Sequence, residues 1–176
     1  MLDKKRIDEA KSNVRGYLDE GLLAKKSFEK NIFEVLRNNA YESLETANFL
    51  SKNEKSPLWV IVSSYYSMFY MANAVLYKIG YKVGDKIAHK VTADAIIVFI
   101  KDKLKDSLIE DYEEAKEEAL LLAKNKAEGI IENFDFERRK RSLIQYQTKE
   151  IEKFSKSKTS LNRAKEFIAE MEKLLL

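Results

Sequence analysis

Val62-Ser63-Ser64-Tyr65-Tyr66-Ser67-Met68-Phe69-Tyr70-Met71-Ala72-Asn73-Ala74-Val75-Leu76 decides the fold. It lies within Leu58 to Ile79, the most apolar stretch of the chain and the poorest in charge. Small residues at Ser63, Ser64, Ser67, Ala72 and Ala74 are mixed with large tyrosines, phenylalanine and methionines. That mixture lets neighbouring helices approach closely, so the stretch reads as the central helix of a bundle. Ser56-Pro57 precedes it. A serine there can cap free N–H groups, and proline is favoured at the first helical position.

Working outward, Ile32, Leu36, Ala40, Leu44, Ala47 and Leu50 mark one helical face, closed by the polar turn Ser51-Lys52-Asn53-Glu54-Lys55. Ile7, Ala10, Val14, Leu18 and Leu22 mark another, with a break expected near Gly21. Beyond the central helix, Gly80-Tyr81-Lys82-Val83-Gly84 reads as a loop, and Asp85 is placed to cap a helix from about Lys86 to Lys105. The run Ile96-Ile97-Val98-Phe99-Ile100 has the composition of a strand, but it has no partner strand and is assigned to that helix. A long charged helix follows with Leu108, Tyr112, Ala115, Ala119 and Leu122 on one face, and Asn133-Phe134-Asp135 is expected to break it. The last helix is expected to begin near Thr159 or Ser160, carrying Leu161, Ala164, Ile168, Met171 and Leu175 at a spacing that suits packing on a bundle.

Composition agrees. The chain has 176 residues, one proline and five glycines, which fits a single helical domain. No internal repeat or long linker divides it. The absence of cysteine excludes disulfides and thiolate metal sites and fits a cytoplasmic protein. Met1-Leu2-Asp3-Lys4-Lys5-Arg6 is followed by acids, unlike a signal peptide. No apolar run approaches the ~20 residues of a membrane span, so no membrane partner is expected. Net charge is only +3, so any contact with nucleic acid must be local.

One stretch is local in that sense: Glu137-Arg138-Arg139-Lys140-Arg141-Ser142-Leu143-Ile144-Gln145-Tyr146. Four adjacent cations repel one another, and a phosphate backbone is the usual counterpart for such a cluster. Two readings stand side by side. Arg138, Arg139, Lys140 and Arg141 contact RNA or nucleotide phosphate, or they form a solvated helix start paired with Glu132, Asp135 and Glu137. Cations sit poorly at a helix N-terminus, where free N–H groups favour an anion, and this makes phosphate the more attractive counterpart.

Taken in order, these features resemble the prokaryotic HEPN domain family. The resemblance rests on Ala40-Tyr41-Glu42-Ser43-Leu44-Glu45-Thr46-Ala47, on the Val62–Leu76 segment, on His89-Lys90, and on the arginine-rich turn ending in Gln145-Tyr146. It covers about residues 35 to 176. It implies an all-α fold of five to seven helices, an up-and-down HEPN-like bundle over 31–176 with an additional N-terminal helix, residues 1–30, as an extension packing on it. It also implies a homodimer, formed through the Tyr65–Leu76 helix or its neighbours, and a minimal nucleotidyltransferase as a companion.

Many members of that family are metal-independent ribonucleases of toxin–antitoxin or defence systems. Their motif is an arginine, four to six residues, then a histidine, with a tyrosine two positions on. Carried over, the motif places Arg139 and Tyr146 at its ends and Ile144 at the histidine. A second family pattern, arginine, three residues, aspartate and tyrosine, fits Arg141 to Tyr146 with Gln145 in place of the aspartate. The candidate catalytic residues are therefore Arg139, Arg141 and Tyr146. Either arginine can stabilise charge on a developing phosphorane. No residue is an obvious base at neutral pH, since Tyr146, ordinarily near ~10, requires a large shift. The alternative is a catalytically inactive interaction module that partners a nucleotidyltransferase.

Other features read structurally. Tyr65, Tyr66, Phe69 and Tyr70 are assigned to core or dimer interface, with Ser63 and Ser67 as hydroxyl partners. His89 is assigned to a hydrogen bond at a helix start. With Asp85 it gives two potential ligands, too few for a metal, so no metal or cofactor is expected. Glu113-Glu114 and Glu117-Glu118 are assigned to a solvated helix face.

Overall fold

A computed structural model describes the backbone of residues 2–136 and 150–175 and the side chains of 2–124 and 154–175. The fold is all-α. Among the described residues there are six α-helices: α1 (Lys4–Asp19), α2 (Lys30–Lys52), α3 (Pro57–Lys78), α4 (Ala88–Phe99), α5 (Asp106–Phe136) and α6 (Glu150–Lys173). A short 3-10 turn, Lys101–Lys103, links α4 to α5. No helix among the described residues is long and apolar enough to cross a membrane.

The apolar stretch at 58–79 is indeed central. α3 packs against α2, α6, α5 and α4, and most of its residues from Val60 to Tyr77 are buried. Its small residues permit this crowding; Ser64, Ser67, Ala72 and Ala74 are fully buried. Residues 1–30 hold α1 and the first strand. Ala10, Val14 and Tyr17 of α1 enter the same core cluster as Tyr65, Met68 and Ile96.

The Gly80–Gly84 segment is not a plain loop. Tyr81–Val83 (β2) pairs antiparallel with Leu23–Lys25 (β1), in the register Leu23↔Val83, Ala24↔Lys82, Lys25↔Tyr81. Three-residue strands carry too little alternation to be seen, and their partners lie far apart in sequence. Gly80 has φ +92°, a left-handed conformation that glycine adopts without strain. Gly84 donates to the Leu22 carbonyl at 2.8 Å, and a Cβ there would lie 3.2 Å from the same oxygen. The Tyr81 ring stacks on Phe99 with centroids 4.0 Å apart.

Five helix ends depart from expectation. Ser56 sits at φ 37°, in the left-handed region and not the extended geometry of a capping serine, and makes no side-chain cap, although Pro57 does occupy the first position of α3. Asp85 caps nothing, because α4 starts at Ala88 after Ile87 at φ 44°. That helix ends at Phe99 and gives way to the 3-10 turn. Asn133-Phe134-Asp135 does not interrupt α5, which runs to Phe136; lone Asn and Asp residues cost only tenths of a kcal/mol in helix propensity. α6 begins at Glu150, and Thr159 inside it donates to the Ser155 carbonyl at 3.2 Å instead of capping a start.

Candidate functional site

Arg138, Arg139, Lys140, Arg141, Ile144 and Tyr146 fall in residues 137–149, which lie outside the described residues. That segment connects the end of α5 to the start of α6. These are the two longest helices, of 31 and 24 residues. The other predicted positions are on α3 and are described. Tyr65 is fully buried, while Tyr66, Phe69 and Tyr70 are half-buried.

Three of these rings, Tyr65, Tyr66 and Phe69, gather around His89, the second residue of α4, and Tyr70 packs on Tyr66 and Phe69. The His89 ring lies 4.5 Å from Phe69, 5.5 Å from Tyr65 and 5.7 Å from Tyr66, centroid to centroid. Its Nδ1 is 2.7 Å from the Tyr65 hydroxyl. Tyr65 therefore bonds to His89, and not to Ser63 or Ser67; Ser67 donates to the Ser64 carbonyl at 2.6 Å.

Burial pushes the Tyr65 hydroxyl well above the usual tyrosine range, so it keeps its proton and can donate to Nδ1. Burial, assisted by the Tyr65 hydroxyl, pushes Tyr112 up as well. The Tyr112 hydroxyl completes no hydrogen bond of ordinary geometry. Burial, and then the nearby Lys116 charge, lower His89 from its ordinary value. The imidazole is thus neutral at neutral pH.

Tyr66 and Tyr70 also face the other way, into a groove of about 420 Å³ between α2 and α3. Trp59, 52% exposed, completes its aromatic wall. Asn39, Glu42, Ser43 and Thr46 line the α2 side, and Val62 and Ser63 line the α3 side. Thr46 donates to the Glu42 carbonyl at 2.8 Å. Glu42 is the one charged side chain among the described lining.

A second polar cluster escaped sequence reasoning. Asp94 is 1% exposed in the middle of α4. Tyr17 and Asn13 of α1 donate to its Oδ2 at 2.8 and 3.0 Å. Arg6 lies 2.7 Å from its Oδ1, an ion pair without hydrogen-bond alignment, and also donates to Glu113 Oε1 at 2.6 and 2.9 Å. Burial opposes the Arg6 charge, but Glu113 and Asp94 outweigh it and hold the guanidinium above its ordinary value.

The available signal was a lone aspartate inside the apolar run Val91-Thr92-Ala93-Asp94-Ala95-Ile96, because a buried carboxylate needs partners. Glu113 is accordingly half-buried and paired with Arg6, whereas Glu114 and Glu117 are exposed as expected, with Glu114 pairing with Arg163 at 2.8 Å. Burial also raises the Glu118 carboxyl.

Among the described residues no group of three His, Asp or Glu is placed to hold a metal ion. The chain matches no protein-family model, no curated protein and no solved structure.

Proposed function

We propose that this chain is an HEPN-like, homodimeric cytoplasmic protein that contacts RNA or nucleotide phosphate, as a component of a toxin–antitoxin or defence system. The observation that carries the reading is the Arg138-Arg139-Lys140-Arg141 run in the connection between α5 and α6. Placed between the two longest helices, four adjacent cations concentrate positive field at one locus of a molecule whose net charge is only +3. The absence of cysteine fits a reducing compartment.

Phosphate contact and RNA cleavage are separable. Cleavage requires a base, and the motif position for histidine holds Ile144. His89 is held by Tyr65 and stands beside Lys116, with about 30 Å of α5 between Lys116 and Phe136. This arrangement supports the second reading, a catalytically silent module that partners a nucleotidyltransferase.

One experiment addresses both. The purified protein is incubated with end-labelled RNA in EDTA, beside an Arg139→Ala/Arg141→Ala variant, and binding is measured against salt. Phosphate contact predicts that the variant lowers the slope of log affinity against log salt by about 1.4, or ~0.7 per lost contact to a single strand. Discrete fragments from the parent alone would make the protein a metal-independent ribonuclease. Intact RNA with an unchanged salt slope would sink the phosphate reading and leave the interaction module.

A further inference from the structure

We infer that the groove between α2 and α3 is a docking site for a basic peptide segment, holding an arginine or lysine side chain between Trp59, Tyr66, Tyr70 and the Glu42 carboxylate. The inference does not depend on the phosphate reading, which concerns residues 138–141, and it requires that the proposed homodimer form through another face and leave this groove open.

The groove is built by two stripes at helical spacing. On α3, Trp59, Ser63, Tyr66 and Tyr70 recur at four, three and four residues, so they share one face. On α2, Asn39, Glu42 and Thr46 follow the same rhythm. That α2 stripe continues at each end into an exposed apolar side chain, Val35 at 57% and Phe49 at 64% exposure. From Val35 to Phe49 the face is about 21 Å long.

Its chemistry selects the occupant. The volume of about 420 Å³ falls in the ~300–1,000 Å³ range of small binding sites and suits one or two long side chains. Ring faces carry negative quadrupole potential, and an indole is the best partner for a cation. Glu42 adds a full negative charge, with no cation among the described lining to cancel it. Among the described residues, Asn39, Ser43 and Ser63 make no side-chain hydrogen bond, so they can accept from a guanidinium or an ammonium. A nucleic acid would bring phosphate to this same negative wall. The apolar flanks at Val35 and Phe49 favour a peptide whose cation is bordered by apolar residues over a free amine.

Trp59 is the single tryptophan of the chain, so its emission reports on the groove directly. The test titrates the full-length protein with an acetylated peptide carrying two arginines among leucines and alanines. The same peptide with glutamates and a single-stranded oligouridylate serve as comparisons.

The expected result is a saturable change in Trp59 emission with the arginine peptide alone. Glu42→Gln should weaken it about five- to tenfold, the scale of one lost ion contact beside aromatic rings. Because Glu42 is exposed, Glu42→Gln should leave thermal unfolding unchanged, which separates lost binding from lost folding. Calorimetry on Tyr70→Ala supplies a second variant that leaves the reporter in place.

Four results would overturn the inference. Equal binding of the glutamate peptide would mean that charge plays no part. Binding of the oligouridylate alone would make the groove a nucleobase site. Emission that follows protein concentration without peptide, with a matching rise in solution mass, would mean that a second copy covers the face. No saturable change up to a concentration on the order of 1 mM would mean that nothing of this chemistry binds.

Discussion

His89 shows how much one side chain can depend on its surroundings. Its Nδ1 is hydrogen-bonded to the hydroxyl of a tyrosine that burial keeps protonated, and its ring is wedged among Phe69, Tyr65 and Tyr66. Protonating the ring would place a charge in a half-buried site, and beside the Lys116 charge. Its folded value lies below the ordinary one, so the unfolded chain binds the proton more readily. The contribution is therefore complete above the unfolded value of about 6.5 and is lost as pH falls through the folded value. Thermal unfolding of the parent should drop between pH 7 and pH 5. His89→Gln can still accept from Tyr65 but does not titrate, and should flatten that part of the profile. Tyr65→Phe removes a hydrogen bond worth about 1 kcal/mol, or ~2–4 °C for a chain of this size. A His89→Gln profile as steep as the parent's would place the titration elsewhere.

At the scale of elements, periodicity was readable and ends were not. Ile32 to Leu50 and Leu161 to Leu175 follow the 3.6-residue rhythm and lie on α2 and α6 or in the turn just beyond. Ile96–Ile100, strand-like by composition, stays helical through Phe99 because α4 is covered by α1, α3 and α5. The ends failed where tertiary contacts decide them: Asp85 is passed over so that α4 can start at Ala88, next to the histidine that docks on Tyr65. The site was legible only in part for the same reason. Tyr65 and His89 are 24 positions apart, and Asp94 and Arg6 farther still, so no local pattern joins them. The glycines test the ribbon. At Gly80, φ +92° makes an alanine strained by about 1–2 kcal/mol, although its Cβ would meet only the Lys26 carbonyl at 3.7 Å. Gly16 lies inside α1 with nothing within 4 Å of its would-be Cβ. Gly16→Ala should therefore raise stability by roughly 0.5–1 kcal/mol while Gly80→Ala lowers it. Denaturant midpoints of the same sign for both would refute the assignment of backbone conformation.

For the whole molecule, the question is how firmly α1 belongs to the bundle, since residues 1–30 resemble an addition. Its apolar side chains Ala10 and Val14 are buried against α4, and such packing alone would suit a loosely added helix. Arg6 changes that argument. It lies between Asp94 of α4 and Glu113 of α5, so one side chain of α1 bridges two carboxylates on two other helices. With Asp94 at 1% exposure, removing the cation leaves a buried charge that only Tyr17 and Asn13 can satisfy. Breaking a buried pair from one side costs roughly 3–5 kcal/mol, and Arg6 at 24% exposure belongs at the lower end, about 3 kcal/mol. Adding Asp94→Asn to Arg6→Ala removes the stranded charge, so the double variant should lose less than the sum of the two single losses. The expected coupling is on the order of 1–3 kcal/mol. Urea unfolding of the four proteins measures this. Strict additivity would mean that Arg6 and Asp94 act independently, and that this ion pair does not fasten α1 to α4.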